Sequence, residues 1–262
     1  MKRKHILLAA ICLLGAGLAA CSGDENPQQT QGDAWFVSIP ATKSGGAVEA
    51  ATRALSLEGS TLSATWSTGE SVTVVRAGTG NEMGTLHPDA NAATANLTGT
   101  LRDPVVSYST SDALDLWFPR YADATISYTG QKGTLADIAE HFDYAHASAS
   151  ITEVNTTTKT LTVSAATFTN TQAIVRFTLK DNGGNALAVK SLEVSKGETL
   201  IASAALDPES SEVWLAIPQV EGKDIILSAT TSAPKEYRYT KTGVTFGAGK
   251  YYAISVKMSS SE

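Results

Sequence analysis

The chain has 262 residues, 42% hydrophobic and 18% charged, with 20 Lys and Arg against 26 Asp and Glu for a net charge of −6. That length holds one large β domain or two smaller ones. The acidic balance argues against nucleic acid as a partner, because such binding rests on clustered Lys and Arg, and against adsorption to anionic lipid by charge alone.

Lys2, Arg3 and Lys4 form a basic start, and Ile6 to Ala20 is an apolar run broken only by small residues. This is the layout of a secretory leader, and the run is too short to span a bilayer as a helix, which needs about 20 residues. It ends Leu18-Ala19-Ala20-Cys21. A large aliphatic residue, two small ones and then cysteine is the lipobox of bacterial lipoproteins: the small residues admit the peptidase, and the thiol takes a diacylglycerol. Residues 1–20 are therefore read as a lipoprotein signal peptide and Cys21 as the lipidation site that ties the mature chain to a membrane. Cys12 leaves with the leader, so the mature chain keeps no cysteine pair for a disulfide, and outside the cytosol its core has to hold unaided. The leader also carries off three of the 20 basic residues and none of the 26 acidic ones, which makes the mature chain more acidic. Residues 21–34, with Asp24, Glu25, Asn26 and Pro27, are polar and unpatterned and read as a flexible tether.

Strands are expected at Trp35–Ile39, Ser71–Arg76, Asp115–Phe118 and Thr125–Tyr128. Leu135, Ile138 and Phe142 then fall at helical spacing, and Thr134 with Asp137 three residues on resembles a capping box, so a short helix is expected there. Thr152–Thr158 is a low-complexity stretch read as a joint, with a domain boundary soon after it, between residues 168 and 169. Lys159–Ala165 alternates with Leu161 and Val163 inward. Ala173–Lys180 places Ala173, Val175, Phe177 and Leu179 on one face, and Asp181–Gly184 is a turn. Leu187–Val194, Glu212–Ile217, Asp224–Ala229 and Glu236–Lys241 are further strands. Tyr251–Met258 closes the series with Tyr252, Ile254, Val256 and Met258 inward. Period two over such runs means half-buried antiparallel strands. The fold class expected is all-β, of β-sandwich architecture, with one short helix.

Catalytic chemistry is sought and not found. His141, Asp143 and His146 do not share a face on a helix-then-turn reading and lack a third firm ligand, so no metal set is assigned. Ser232 and Lys235 fit Ser-x-x-Lys, but Pro234 amid strand sequence denies the serine a helix to open. Gly78, Gly80 and Gly84 miss dinucleotide spacing. Asp112 with Asp115, and Asp207 with Glu209, read as solvated loop charges rather than a glycosidase pair. Asp181–Gly184 lacks the ligand series of a calcium loop. The chain is read as not an enzyme, with no cofactor.

Four stretches resemble the fimbrillin family, the pilins and pilin-like lipoproteins of type V fimbriae. They are Ala51-Thr52-Arg53-Ala54-Leu55; Ala64 to Val72 with Trp66, Gly69 and Glu70; Ile126 to Leu135 with Tyr128, Gly130 and Gly133, followed by Phe142-Asp143-Tyr144; and Phe168 to Phe177 with Gly249-Lys250-Tyr251-Tyr252 opening the last strand. The resemblance implies two β-sandwich domains with transthyretin-like topology, here 35–168 (including the short helix) and 169–262. It implies a lipidated precursor that reaches the outer membrane surface. A trypsin-like protease then cuts between Arg53 and Ala54, releasing the first strand, 35–40. A strand from another pilin subunit, of the same or a different kind, fills the vacated groove. Trp35, Phe36, Val37 and Ile39 are the candidate released strand, and Tyr252, Ile254, Val256 and Met258 a candidate donated one. The expected function is a structural or accessory subunit of a cell-surface fimbria that supports adhesion. The alternative is a non-polymerising outer-membrane lipoprotein that binds glycan or another partner, for which Trp117 with Phe118, or Tyr237 with Tyr239, are the available aromatics. An exposed loop from Lys43 through Gly46 to Arg53 suits proteolysis, although Arg53 also reads as an ordinary surface arginine.

Overall fold

The computed structural model describes residues 33–43, 54–58, 61–102, 107–119, 126–233 and 235–260. The leader, Cys21, most of the tether and Arg53 lie outside the described residues.

β1 (Ala34–Lys43) alternates strictly: Trp35, Val37, Ile39, Ala41 and Lys43 are buried, while Phe36 is 50% exposed. β2 (Ala54–Glu58) and β3 (Thr61–Thr65) pair only with each other, antiparallel. β4 (Val72–Arg76), β5 (Glu82–Pro88), β6 (Thr94–Arg102), β7 (Ala113–Phe118), β8 (Ala145–Asn155), β9 (Thr160–Val163) and β10 (Ala166–Asn170) join β1 in one sheet of order β10-β1-β6-β5-β4-β7-β8-β9. β8 also pairs with β10, and β1 also pairs with β9. β9 and β10 are thus two pieces of one strand position between β1 and β8, and the sheet closes into a barrel of seven positions. Closure removes the free edges that an open sheet would present. A two-sheet sandwich was expected over this stretch, and the closed sheet replaces it. Alternation along a strand is the same in either case, whereas closure depends on β1 meeting β9 and β10, more than a hundred residues away in the chain.

The barrel interior holds Val37, Ile39, Leu86, Leu97, Leu114, Leu116 and Phe168, all fully buried. At Gly99, opposite Leu86, a Cβ would lie 2.6 Å from the Thr85 carbonyl oxygen, so β5 and β6 approach too closely there for any side chain.

The second half forms two sheets. β11 (Gln172–Lys180), β14 (Glu212–Pro218) and β17 (Tyr251–Lys257) pair in the order β14-β11-β17. β12 (Val189–Lys196), β13 (Thr199–Ser210), β15 (Val220–Thr230), β16 (Glu236–Phe246) and β18 (Ser259–Ser260) pair in the order β13-β12-β15-β16-β18. Their buried faces share one apolar cluster, with Val175, Phe177 and Leu215 from the first sheet and Leu192, Val194 and Leu227 from the second.

α1 (Leu135–Asp137) continues as a π-helical turn over Ile138–Phe142. The Thr134 hydroxyl accepts from the Asp137 amide at 3.1 Å, the cap expected from the sequence. The location differs from expectation. Ile138 is fully buried in the second cluster, with Leu135, Ala139 and Phe142 packed against it, so the apolar side of the helix joins that core, while the helix also touches β2. Gln131, 0% exposed, fixes the approach: its Nε2 donates to the carbonyls of Tyr128 and Ala216, at 2.7 and 2.8 Å, and its Oε1 accepts from the Ala216 amide at 2.8 Å. The expected strand at Thr125–Tyr128 is absent from its described part: residues 126–129 are irregular, with Tyr128 buried in the second core and Ile126 packed against it. Thr152–Thr158 is not a joint. It spans the end of β8 and the turn into β9, where the Asn155 side chain accepts from the amides of Thr157 and Thr158.

Candidate functional site

The structure points to β1 and the buried charges at its far end. β1 pairs antiparallel with β6 from Ala34 to Thr42, and parallel with β9 and then β10 on its other side. Both its edges are taken, and its inward side chains fill the barrel.

The last inward position is Lys43, 4% exposed. Its ammonium lies 2.9 and 3.0 Å from the two carboxylate oxygens of Glu70 and 3.4 Å from the Thr65 carbonyl. It also sits 4.6 Å from the centre of the Trp66 ring and 3.9 Å from that of Phe118. A buried ammonium is tolerated when paired with a counter-charge, and the two ring faces add to that pairing. Glu70, 6% exposed, is held by the turn it closes: its amide donates to the Ser67 carbonyl at 2.9 Å, and its Oε2 accepts from the Ser67 amide at 3.0 Å. Trp66, 1% exposed, donates from Nε1 to the Ala41 carbonyl of β1 at 3.1 Å and stands edge-on to Phe118 and Phe168.

Asp143 lies in the same electrostatic neighbourhood. Its Oδ1 accepts from the side chains of Asn170 and Gln172. Burial pushes its carboxyl up from the usual carboxylate range, the Lys43 ammonium pulls it back, and the Glu70 charge adds to the rise. A small cavity of about 80 Å³ is lined by Glu70, Phe118, Pro119, His141 and Asp143. A carboxyl raised by the fold contributes stability at acid pH that is lost as pH climbs from the ordinary carboxylate value through the raised one. Asp143→Asn should therefore gain on the wild type as pH rises, with urea midpoints close together near pH 4 and the variant ahead at pH 8. A variant that falls further behind at pH 8 contradicts this.

Cys21 and Arg53 lie outside the described residues. Ala54 begins β2, opposite Thr65, so the Arg53–Ala54 bond falls between β1 and the β2–β3 hairpin. Trp35, Val37 and Ile39 are inside the barrel and Phe36 is outside it. Val256 and Met258 are buried in the second cluster, and Tyr252 and Ile254 pack against it. β17 pairs in parallel with β11 along its whole length, and its other edge has no partner among the described residues. The aromatic pairs do not form an exposed platform: Phe118 is buried, Trp117 lies against His146 at 4.3 Å, and Tyr237 and Tyr239 pack on the second core. His141 contacts Asp137 and His146 lies near Asp115, so these histidines and Asp143 occupy three separate sets of contacts. Asp112 pairs with Arg76 and Asp115 accepts from Ser148. The loop reading fails for Asp115, Asp207 and Glu209, which lie in β7 and β13.

Sequence reasoning missed Lys43, Glu70 and Asp143 as one group. A signal for Lys43 was present: it continues the phase of Trp35, Val37, Ile39 and Ala41 one step further, beyond the strand end expected at residue 39.

No family model matches the chain, and no curated protein does. Solved structures similar to it include a candidate cell adhesion protein from Bacteroides uniformis, at 15% identity over 86% of this chain and 96% of that one with a TM-score of 0.44. A fimbrial assembly protein from Parabacteroides distasonis is similar at 14% identity over 87% and 92%, TM-score 0.41. The C-terminally truncated tip fimbrial protein Mfa3 from Porphyromonas gingivalis is similar at 8% identity over 86% and 95%, TM-score 0.40. Likeness at these values lies below the level at which function passes from one chain to another.

Proposed function

We propose that this chain is a structural or accessory subunit of a cell-surface fimbria, exported as a lipoprotein through Cys21 and assembled by protease-triggered strand exchange. Its two domains are residues 35–168 and 169–262, the helix of the first lending its apolar side to the core of the second. The fimbrillin resemblance implies a transthyretin-like plan, with which the two paired sheets of the second domain are compatible, while the first domain is the closed sheet described above. The observation that carries the reading is the place of β1. It fills a slot between β6 and the β9–β10 position, and chain continuity to the rest runs through residues 44–53, which hold Arg53. A cut after Arg53 leaves β1 held by non-covalent contacts alone. Its departure leaves a row of unpaired backbone groups beside an apolar groove, which accepts another strand by main-chain hydrogen bonds. Head-to-tail filling that does not close produces a fibre. The partners are other pilin subunits, a trypsin-like protease and the outer membrane that holds the lipid.

Arg53→Ala should leave the precursor uncut and abolish fibres, read by N-terminal sequencing and electron microscopy of surface extracts. Normal fibres from that variant would sink the proposal.

A further inference from the structure

We infer that the strand taking the place of β1 must bring a lysine or arginine two residues beyond its last apolar anchor, and that this buried cation sets register and partner choice. The inference rests on the strand-exchange reading above, and residues 252–258 of another copy, run in the direction of β1, do not meet it, because Ser260 stands two residues beyond Met258.

The slot has two chemically different parts. Four inward positions, those of Trp35, Val37, Ile39 and Ala41, are lined by apolar side chains of the barrel. The fifth, that of Lys43, is lined by the Glu70 carboxylate at 2.9 Å, by the faces of Trp66 and Phe118, and by the nearby Asp143. When β1 leaves, those groups remain, because Glu70 is fixed by the Ser67 turn and Asp143 by Asn170 and Gln172. An apolar incoming strand would then bury an uncompensated carboxylate, which costs far more than a missing methylene. The aromatic faces favour a cation over a neutral donor. A strand slipped by one residue turns its cation to the outside, and one slipped by two sets an apolar side chain against Glu70. Apolar pockets grade strands by size, whereas this end rejects any strand without the charge, which is specificity by penalty.

The test uses leaderless Cys21→Ala protein cut at Arg53 by a trypsin-like protease at limiting dose, with the fragments left together. Two fluorescent peptides are titrated in: one with the sequence of residues 33–43, the other the same with Lys43→Met. Anisotropy reads entry. The lysine peptide should enter about a hundredfold or more tightly than the methionine peptide, as for one partner removed from a buried ion pair. In Glu70→Gln protein the ratio should fall below about tenfold. Methionine and lysine peptides entering equally well would overturn the cation requirement and leave strand exchange standing. An undiminished ratio in Glu70→Gln protein would overturn the assignment to this site. Entry by neither peptide would overturn strand exchange, and this inference with it.

Discussion

Trp66→Ala should cost about 3–5 kcal/mol, the range for deleting a large aromatic from a packed core. Trp66 is 1% exposed and its ring is gripped on two sides, by Phe118 at 5.7 Å and Phe168 at 5.0 Å between ring centres. Truncation leaves a cavity among side chains from three strand segments that cannot all collapse into it. It also removes the indole N–H that donates to the Ala41 carbonyl at 3.1 Å, and strips one aromatic face from the Lys43 ammonium. Because that carbonyl belongs to β1, the loss should loosen β1 before the rest of the barrel. Urea unfolding measures the total, and hydrogen exchange at Val37 to Ala41 measures the local part. Trp66→Phe keeps a ring in the cavity and should cost less than half as much. A penalty for Trp66→Ala under about 1 kcal/mol would show that Trp66 does not anchor β1.

Lys43→Met should cost a similar amount, about 3–5 kcal/mol, by a different route. Methionine matches the length of the lysine stem, so little packing is lost. The cost lies in leaving Glu70 buried beside Asp143 without its cation. The double variant Lys43→Met with Glu70→Leu removes both charges and should recover most of the loss, since replacing a buried ion pair with apolar groups is often close to neutral. The effect should also persist in high salt, because a pair at 4% and 5% side-chain exposure is little screened. A double variant no better than the single one would place the cost in packing and contradict the electrostatic account.

How far the sequence carried the fold depends on side-chain size. β11, β17 and β1 as far as Ile39 were legible because apolar residues alternate there, whereas the end of β1 turns Ala41 and Lys43 inward. β8 was missed. Its inward residues are Ala145, Ala147, Ala149 and Ile151, and alanine is too weakly apolar to register as a strand pattern. β6 was missed because Gly99 occupies the middle of the Ala95, Leu97, Leu101 series, where the backbones come too close for a side chain. The helix was legible from Thr134 and the spacing of Leu135, Ile138 and Phe142, yet its place was not. Which core an amphipathic turn joins is decided by Gln131 and β14, which lie 85 residues apart in the chain. The site divides in the same way. The inward face of β1 could be read directly from alternation. The meeting of Lys43, Glu70 and Asp143 is a consequence of barrel closure and has no local signature.

The central claim is that β1 is a removable part. The direct measurement treats leaderless Cys21→Ala protein with a trypsin-like protease at limiting dose and reads the new N-terminus and the particle size together. Lys43 is shielded by its burial, so the expected cut is at Arg53–Ala54, with the product passing into strand-linked oligomers as β1 is displaced. Resistance at Arg53, or a cut product that stays monomeric with β1 in place, would contradict the account and favour a surface lipoprotein that keeps its first strand.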